Sequence, residues 1–288
     1  MDLVSDPIPR LIRQIAFPAS VGFFFNTLYN VVDTYFAGLL STEGLAALSL
    51  SFPIFFILIA VGTGISQGAT ALISNALGEN KSKEAFRYFL QSISFGVLLA
   101  IALTAIGLLI TPTLFRFLGA SEDYLELCTD YMNTILFGTV FILLQSIINA
   151  ALNAQGNTTI FRNVLIMGFL LNVVLDPWFM FGGFGVPAMG IKGLALATIV
   201  VQLIGGAYLI MAVTKSKLWH GMDWQALIPN KKHFTEIAKQ GFPASINMMT
   251  VALGIFVITW FISHFSTAGV AAYGIATRVE QIILLPTI

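Results

Sequence analysis

The chain has 288 residues, of which 57% are hydrophobic and only 10% charged, with zero net charge and a mean hydropathy of +0.87. A soluble domain carries roughly 25% charged residues, so this composition excludes a water-covered surface on all sides. Zero net charge excludes a basic nucleic-acid-binding face, and the single cysteine, Cys128, excludes a disulfide framework or cysteine metal cluster.

The first residues, "MDLVSDPIPRLIRQIAFPAS", lack the basic region, short apolar core and cleavage site of a signal peptide, and are expected to be a mature cytoplasmic end. Beyond them, stretches 44–78, 88–115, 131–161 and 193–214 contain no Asp, Glu, Lys or Arg. A spanning helix needs about 20 apolar residues, and each stretch supplies that. The hydropathy predicts eight spans, over 14–38, 48–76, 88–111, 128–151, 161–181, 191–213, 237–264 and 268–288. The fold class is therefore an all-α, polytopic membrane bundle. Eleven of the 14 Lys and Arg residues fall on the side of the N-terminal tail and loops 2–3, 4–5 and 6–7. The other side carries Arg116 and Lys192, while Arg278 lies inside a span. This positive-inside bias predicts a cytoplasmic N-terminus in a multi-pass cell (inner) membrane protein.

An internal repeat sets the organisation. Residues 17–47, "FPASVGFFFNTLYNVVDTYFAGLLSTEGLAA", align without a gap over 242–272, "FPASINMMTVALGIFVITWFISHFSTAGVAA", with 13 identities. Span 1 thus corresponds to span 7, giving a six-span unit that recurs in parallel orientation. The expected domains are a six-helix lobe over 1–213, a cytoplasmic inter-lobe loop over 214–236, and the first two helices of a second lobe over 237–288. A complete second unit needs about 160 further residues, so eight spans of an expected twelve are present and the chain is expected to be a fragment.

Ionisable groups inside spans are costly and suggest function. The candidates away from span ends are Asp33, Asp176, Arg278 and Glu280. At ~1.5 Å per residue, Asp33 lies ~15 Å below the outer end of span 1, and Asp176 and Thr198 each lie ~9 Å from the same face. Asn172 and Asp176, four apart, share one face of span 5. Pro177 is expected to kink or end that helix and free carbonyl oxygens. Two carboxylates, an amide and a hydroxyl make a hard oxygen set, suited to Na⁺ or to a proton shared between buried like charges. The structural alternative for Asp33 is a hydrogen bond to neighbouring helices, and for Asp176 an ordinary helix end. Arg278 and Glu280, two apart, project to different faces. Asn26, Asn30, Asn149 and Asn153 either line a cavity or bond between helices. Tyr29, Trp178 and Trp219 fit the interfacial aromatic belt. The histidines lack metal-ligand spacing, and neither a P-loop nor a nucleophile elbow occurs, so an enzyme is not expected.

The fragments "FPAS", "TLYNVVDTYFAG", "QGATALISNALGENK", "NAALNAQGN", "LNVVLDPWFMFG", "GIKGLALATIV" and "ATRVEQIILLP" occur in an order and spacing that resembles the MATE (multidrug and toxic compound extrusion) family, in its bacterial DinF-like branch. The resemblance covers essentially the whole chain. It implies alternating access between two six-helix lobes, with H⁺ or Na⁺ driving export of amphipathic, often cationic, drugs. By position, it implies cation coupling at Asp33, Asn172, Asp176 and Thr198, a substrate cavity at Asn26, Tyr29, Tyr131 and Asn149, and a hinge at Pro18. Tyr131 looks shallow by residue count. Arg278, with Glu280 beside it, is the implied second-lobe coupling position. No cofactor is expected beyond the coupling ion, and no metal beyond Na⁺. A monomer in the lipid bilayer with small-molecule cargo and no nucleic acid is expected. The alternatives are a lipid-linked oligosaccharide flippase of the same superfamily, disfavoured by the single intramembrane cation, or a non-transporting membrane fragment.

Overall fold

The computed structural model describes residues 7–120, 122–219, 223 and 225–284, and within them the chain is helical apart from short connections. Eight long helices follow the expected spans in order: α1 (Phe17–Leu40), α2 (Thr42–Gly78), α3 (Ser82–Phe117), α4 (Glu122–Asn153), α5 (Thr159–Phe181), α6 (Ile191–Thr214), α7 (Lys231–Ser263) and α8 (Thr267–Leu284). Several outrun their predicted spans. The 37 residues of α2 reach ~55 Å at 1.5 Å each, well beyond a hydrocarbon core of about 30 Å. Seven of the eight are long and apolar enough to cross a membrane. The eighth, α8, does not meet that measure over its described residues, which include Arg278 and Glu280, and the last four residues of its predicted span lie outside them. Helix α7 starts at Lys231, inside the stretch expected as inter-lobe loop.

Prolines sit inside four of these helices without ending them, at Pro53, Pro112, Pro177 and Pro243. Of the two outcomes expected at Pro177, a kink or an end, the end does not occur: α5 continues to Phe181. Buried neighbours in a membrane bundle can compensate the backbone bond a proline removes. Pro18 differs, because it follows a π-helical turn, Ile12–Ala16, that leads directly into α1.

Helices α2 and α4 form the middle of the bundle, while α3 and α7 present most of their surface outward. Leu109, Phe137, Val174 and Phe261 are among the large apolar side chains left exposed, as a lipid-facing surface requires. Inside, α2 packs against α4 and α7, α3 and α6 pack against α4, and α5 lies against α1 and α6. Without a hydrophobic driving force between helices in lipid, close backbone packing supplies the contact energy. The α2–α7 seam shows how. A Cβ on Gly68 would stand 2.6 Å from the Ile237 carbonyl oxygen, and one on Gly241 only 2.3 Å from the Gly64 carbonyl oxygen. Gly64 and Gly68 form a G-x-x-x-G step, the spacing that lets two helix backbones touch.

The two copies of the internal repeat start their following helices in the same way. Ser41 Oγ accepts the Gly44 amide at 2.9 Å, and Ser266 Oγ accepts the Gly269 amide at 2.9 Å. Each serine caps orphan donors of a helix N-terminus. The connection between α6 and α7 is fixed to α3 by two side chains, Ser94, whose Oγ donates to the Leu227 carbonyl at 2.6 Å, and the buried Gln91. Gln91 Nε2 donates to the carbonyls of Ala226 and Ile228, and its Oε1 accepts the Asn230 amide at 3.0 Å.

Candidate transport site

The far end of α5 is set by glycine. Gly182 closes the helix at φ +80°, Gly183 and Gly185 follow at +130° and +86°, and a four-residue turn pairs Gly183 with Val186. Only residues without a Cβ adopt such angles without strain. The returning chain is then tied back, with the Met189 and Gly190 amides donating to the Phe179 and Met180 carbonyls at 3.0 Å each. Helix α6 starts against that turn so closely that a Cβ on Gly193 would stand 2.5 Å from the Phe179 carbonyl carbon. This contact brings Thr198 beside the polar face of α5 and α1.

At the centre of that face, Asn172 Nδ2 donates to Asp33 Oδ1 and to Asp176 Oδ1, both at 2.9 Å. One amide thus bridges two carboxylates from α1 and α5. All three side chains are buried, Asp33 at 5% exposure and the other two at 0%. Asn172 Oδ1 and Asp176 Oδ2 have no hydrogen-bond partner. Two carboxylates this close in a dry interior repel, and leaving polar oxygens unsatisfied there costs about 1–3 kcal/mol each. A proton or a small monovalent cation among these oxygens removes both penalties. Thr198 stands one step away, accepting from Tyr29 Oη at 3.0 Å while donating to the Leu194 carbonyl at 3.3 Å.

Asp33 also faces a cavity of about 410 Å³, within the ~300–1,000 Å³ range of small-molecule sites. Its wall includes Asn26, Tyr29 and Asn30 of α1 and Tyr131, Asn149 and Asn153 of α4. Thr198 of α6 and Arg278 of α8 also line it, with Thr63 and Ser66 of α2 and Ser146 of α4, whereas Asn172 and Asp176 lie behind it. The cavity runs toward the bundle end where α4 stops and α5 begins, at Asn153 and Phe161. Tyr131 lies nine residues into α4, which starts at Glu122. Pro18 is buried in the first turn of α1, away from the cavity. Glu280 is exposed on α8 and is not brought to the site.

Several wall residues were not singled out by sequence: Phe52 and Gln67 of α2, Gln145 of α4 and Gln202 of α6. The signal was present as amides inside charge-free stretches, but an isolated amide equally serves a helix–helix bond. The G-x-x-x-G step at Gly64 was likewise legible and unused.

Comparison with known proteins fits this architecture. A FAD transporter of Shewanella oneidensis is 27% identical over 286 residues, covering 98% of this chain and 63% of that protein. Probable multidrug resistance protein YoeA of Bacillus subtilis is 27% identical over 254 residues, covering 86% of this chain and 54% of its own length. A solved multidrug resistance MATE family transporter of the MOP superfamily, in an inward-facing conformation, superposes with a TM-score of 0.82 at 25% identity, covering 91% of this chain and 59% of that one. The chain therefore spans less than two thirds of the length of each of these proteins. The family described as MatE matches residues 18–178, more than half the chain. With the bundle, the buried carboxylate pair and the cavity all on that scaffold, the chain belongs to the MatE family of membrane transporters.

Proposed function

We propose that the chain works as the cation-coupled part of a multidrug efflux antiporter, exchanging amphipathic, commonly cationic compounds for H⁺ or Na⁺. The observation that carries this reading is the Asn172 amide bridging the buried carboxylates of Asp33 and Asp176 at the cavity wall. Asp33, Asn172, Asp176 and Thr198 form the coupling unit in this account. Asn26, Tyr29, Tyr131 and Asn149 contribute to cargo contact. Arg278 supports placement in the DinF-like branch.

The mechanism follows from the charge balance. With the coupling ion absent, the carboxylate pair carries uncompensated negative charge, and Asp33 attracts a cationic cargo from inside the cavity. Binding of a proton or Na⁺ neutralises the pair and removes that attraction. Asp33 is fixed on α1, so a change in its partners is felt along the helix that starts at the π-turn and Pro18. Such π-segments commonly mark functional irregularities. The coupling ion drives a change of access only by binding the two states with different affinity. The eleven-to-two charge bias supports a cytoplasmic N-terminus in the inner membrane, with the cavity open toward the cytoplasmic end and the lobe boundary within 214–236. A monomer suffices for this account.

The relatives differ in the cargo their names state, FAD in one and drugs in another. Cargo is therefore read from this cavity, whose carboxylate favours cations. Proteoliposomes containing the protein and loaded with a fluorescent organic cation, such as ethidium, test the reading. An inward H⁺ or Na⁺ gradient drives efflux in the wild type, and Asp33→Asn abolishes it. Efflux that survives the substitution, or that neither gradient supports, contradicts it.

A further inference from the structure

The cations at the N-terminal end of the bundle fall into two groups. Around the α2–α3 and α6–α7 connections, residues 75–90 and 223–240 mix six cations with four acids. Lys81 Nζ, for example, stands 2.6 Å from Glu79 Oε2. The other side, where α1 and α5 begin and α6 ends, is built from residues 12–22, 153–175 and 203–219. These hold Arg13, Arg162, Lys215 and Lys217 and no acid. Hydrogen bonds gather them. Thr158 Oγ1, at the start of α5, donates to the Ile15 carbonyl at 3.1 Å and so ties the π-turn carrying Arg13 to α5. One turn further along α5, a Cβ on Gly22 of α1 would stand 3.2 Å from Arg162 Cα. Gln155 Nε2 donates at 3.3 Å to Ser216 Oγ, between Lys215 and Lys217. A surface carrying one sign of charge attracts the other.

Arg162 is built to take an anion. Its Nε and Nη2 both donate to Asn163 Oδ1, at 3.1 and 2.8 Å, and among the described residues it forms no ion pair. Its partner is therefore neutral, and three N–H groups remain in the planar fork that suits phosphate oxygens. Asn163 also opens a shallow groove of about 340 Å³ on α5, continued by Ile166, Met167, Leu170 and Leu171. From Asn163 to Leu171 the groove runs ~12 Å along the helix, against about 15 Å for half a hydrocarbon core. Beyond Asn163 its lining is wholly apolar, and Leu170 is 58% exposed. A phosphate-binding fork at the head of an apolar groove, parallel to the helix, matches one phospholipid.

We infer that a phospholipid of net negative charge docks here from the cytoplasmic leaflet, with its phosphate on Arg162 and one acyl chain in the α5 groove. Arg13, Lys215 and Lys217 balance the rest of the headgroup charge. A zwitterionic phospholipid brings the same phosphate but leaves the four cations uncompensated, so the site selects for an anionic headgroup. The lipid lies at the base of α1 and α5, the helices that carry Asp33, Asn172 and Asp176. The inference goes beyond the proposed antiporter, because it concerns the lipid-facing surface and involves neither the cavity nor a gradient.

The test is native mass spectrometry of the purified protein, released from micelles holding equal amounts of dioleoyl phosphatidylglycerol and dioleoyl phosphatidylcholine. Wild type retains phosphatidylglycerol at least about tenfold over phosphatidylcholine, since each Lys or Arg beside an anionic headgroup contributes roughly fivefold. The preference falls roughly fivefold in Arg162→Gln. It falls likewise in Arg13→Gln, which alters an exposed side chain outside the helix packing and so serves if Arg162→Gln does not fold. Lys231→Gln, in the acid-containing group, leaves it intact. Dihexanoyl phosphatidylglycerol is retained less than the dioleoyl lipid, because its chains are too short to fill the groove. Equal retention of the two dioleoyl lipids by wild type overturns the inference before any variant is made. A preference that survives both arginine substitutions overturns it too, as does one that Lys231→Gln reduces to the same extent. Equal retention of the short-chain and long-chain phosphatidylglycerols overturns the docking of an acyl chain on α5.

Discussion

Helices α1 and α7 are copies of one sequence pattern put to different uses. Both copies open on F-P-A-S, and each leads to a serine that caps the next helix, Ser41 for α2 and Ser266 for α8, with the same 2.9 Å bond. Between these ends the chemistry diverges. Asn26, Tyr29, Asn30 and Asp33 of α1 turn to the cavity, whereas the matching positions of α7 are Val251, Gly254, Ile255 and Ile258. Val251 and Ile258 are exposed on the outer surface of the chain. The ends of the repeat therefore carry architecture, which both copies need. The middle differs: of the two helices only α1 presents polar groups to the cavity. A fold built by repetition can become chemically one-sided without disturbing its connections.

Substitutions can break this contrast at several strengths. The largest effect comes from moving the acid. Ile258→Asp sets a carboxylate on the apolar surface of α7 with no Asn172 to meet it, and Asp in mid-span costs about 2.5–3.5 kcal/mol. Membrane yield and the thermal midpoint of the purified protein both fall, and transport is not gained. Of similar size, once the carboxylates offset part of it by taking up a proton, is the loss of the bridge: Asn172→Ala removes two charge-assisted bonds at about 1.5–3 kcal/mol each before that offset. Scanning fluorimetry of that variant shows a lower midpoint, least depressed at acid pH.

The α2–α7 seam comes next. Gly241→Ala forces a Cβ into the Gly64 carbonyl oxygen and costs about 1–3 kcal/mol by overpacking. Gly254→Ala, in open space on the same helix, leaves the midpoint unchanged or higher. The smallest effects sharpen the comparison. Ser41→Ala and Ser266→Ala each remove one helix cap at about 1 kcal/mol. Equal losses in denaturant titrations support architectural equivalence of the two ends, and a loss confined to one of them contradicts it.

Much of this was legible in the sequence, for physical reasons that differ by residue. Asp33 and Asp176 stood out because a carboxylate inside an apolar stretch has few cheap explanations, and Asn172 joined them through its four-residue spacing. The helices were legible because water excludes charge-free runs of that length. Their true lengths were not, since polar turns beyond the hydrocarbon remain helical. Pro177 does not end its helix because a proline that would do so in water is accommodated within a packed membrane bundle. Gln67, Gln145 and Gln202 stayed ambiguous because an amide serves a cavity and a helix contact with the same chemistry. Glu280 drew interest as an intramembrane charge, but its face is decided by the rotation of α8, two residues round from Arg278.

The central claim is that Asp33 and Asp176 act as one cation-binding unit. Infrared difference spectroscopy of the purified protein tests it, following the carbonyl band of a protonated, buried carboxylic acid as pH or Na⁺ is raised. The account predicts one such band at neutral pH in the wild type, lost on adding alkali or Na⁺, with the response abolished or reshaped in both Asp33→Asn and Asp176→Asn. A wild type without any such band or Na⁺ response, or a response unchanged in either variant, would contradict it.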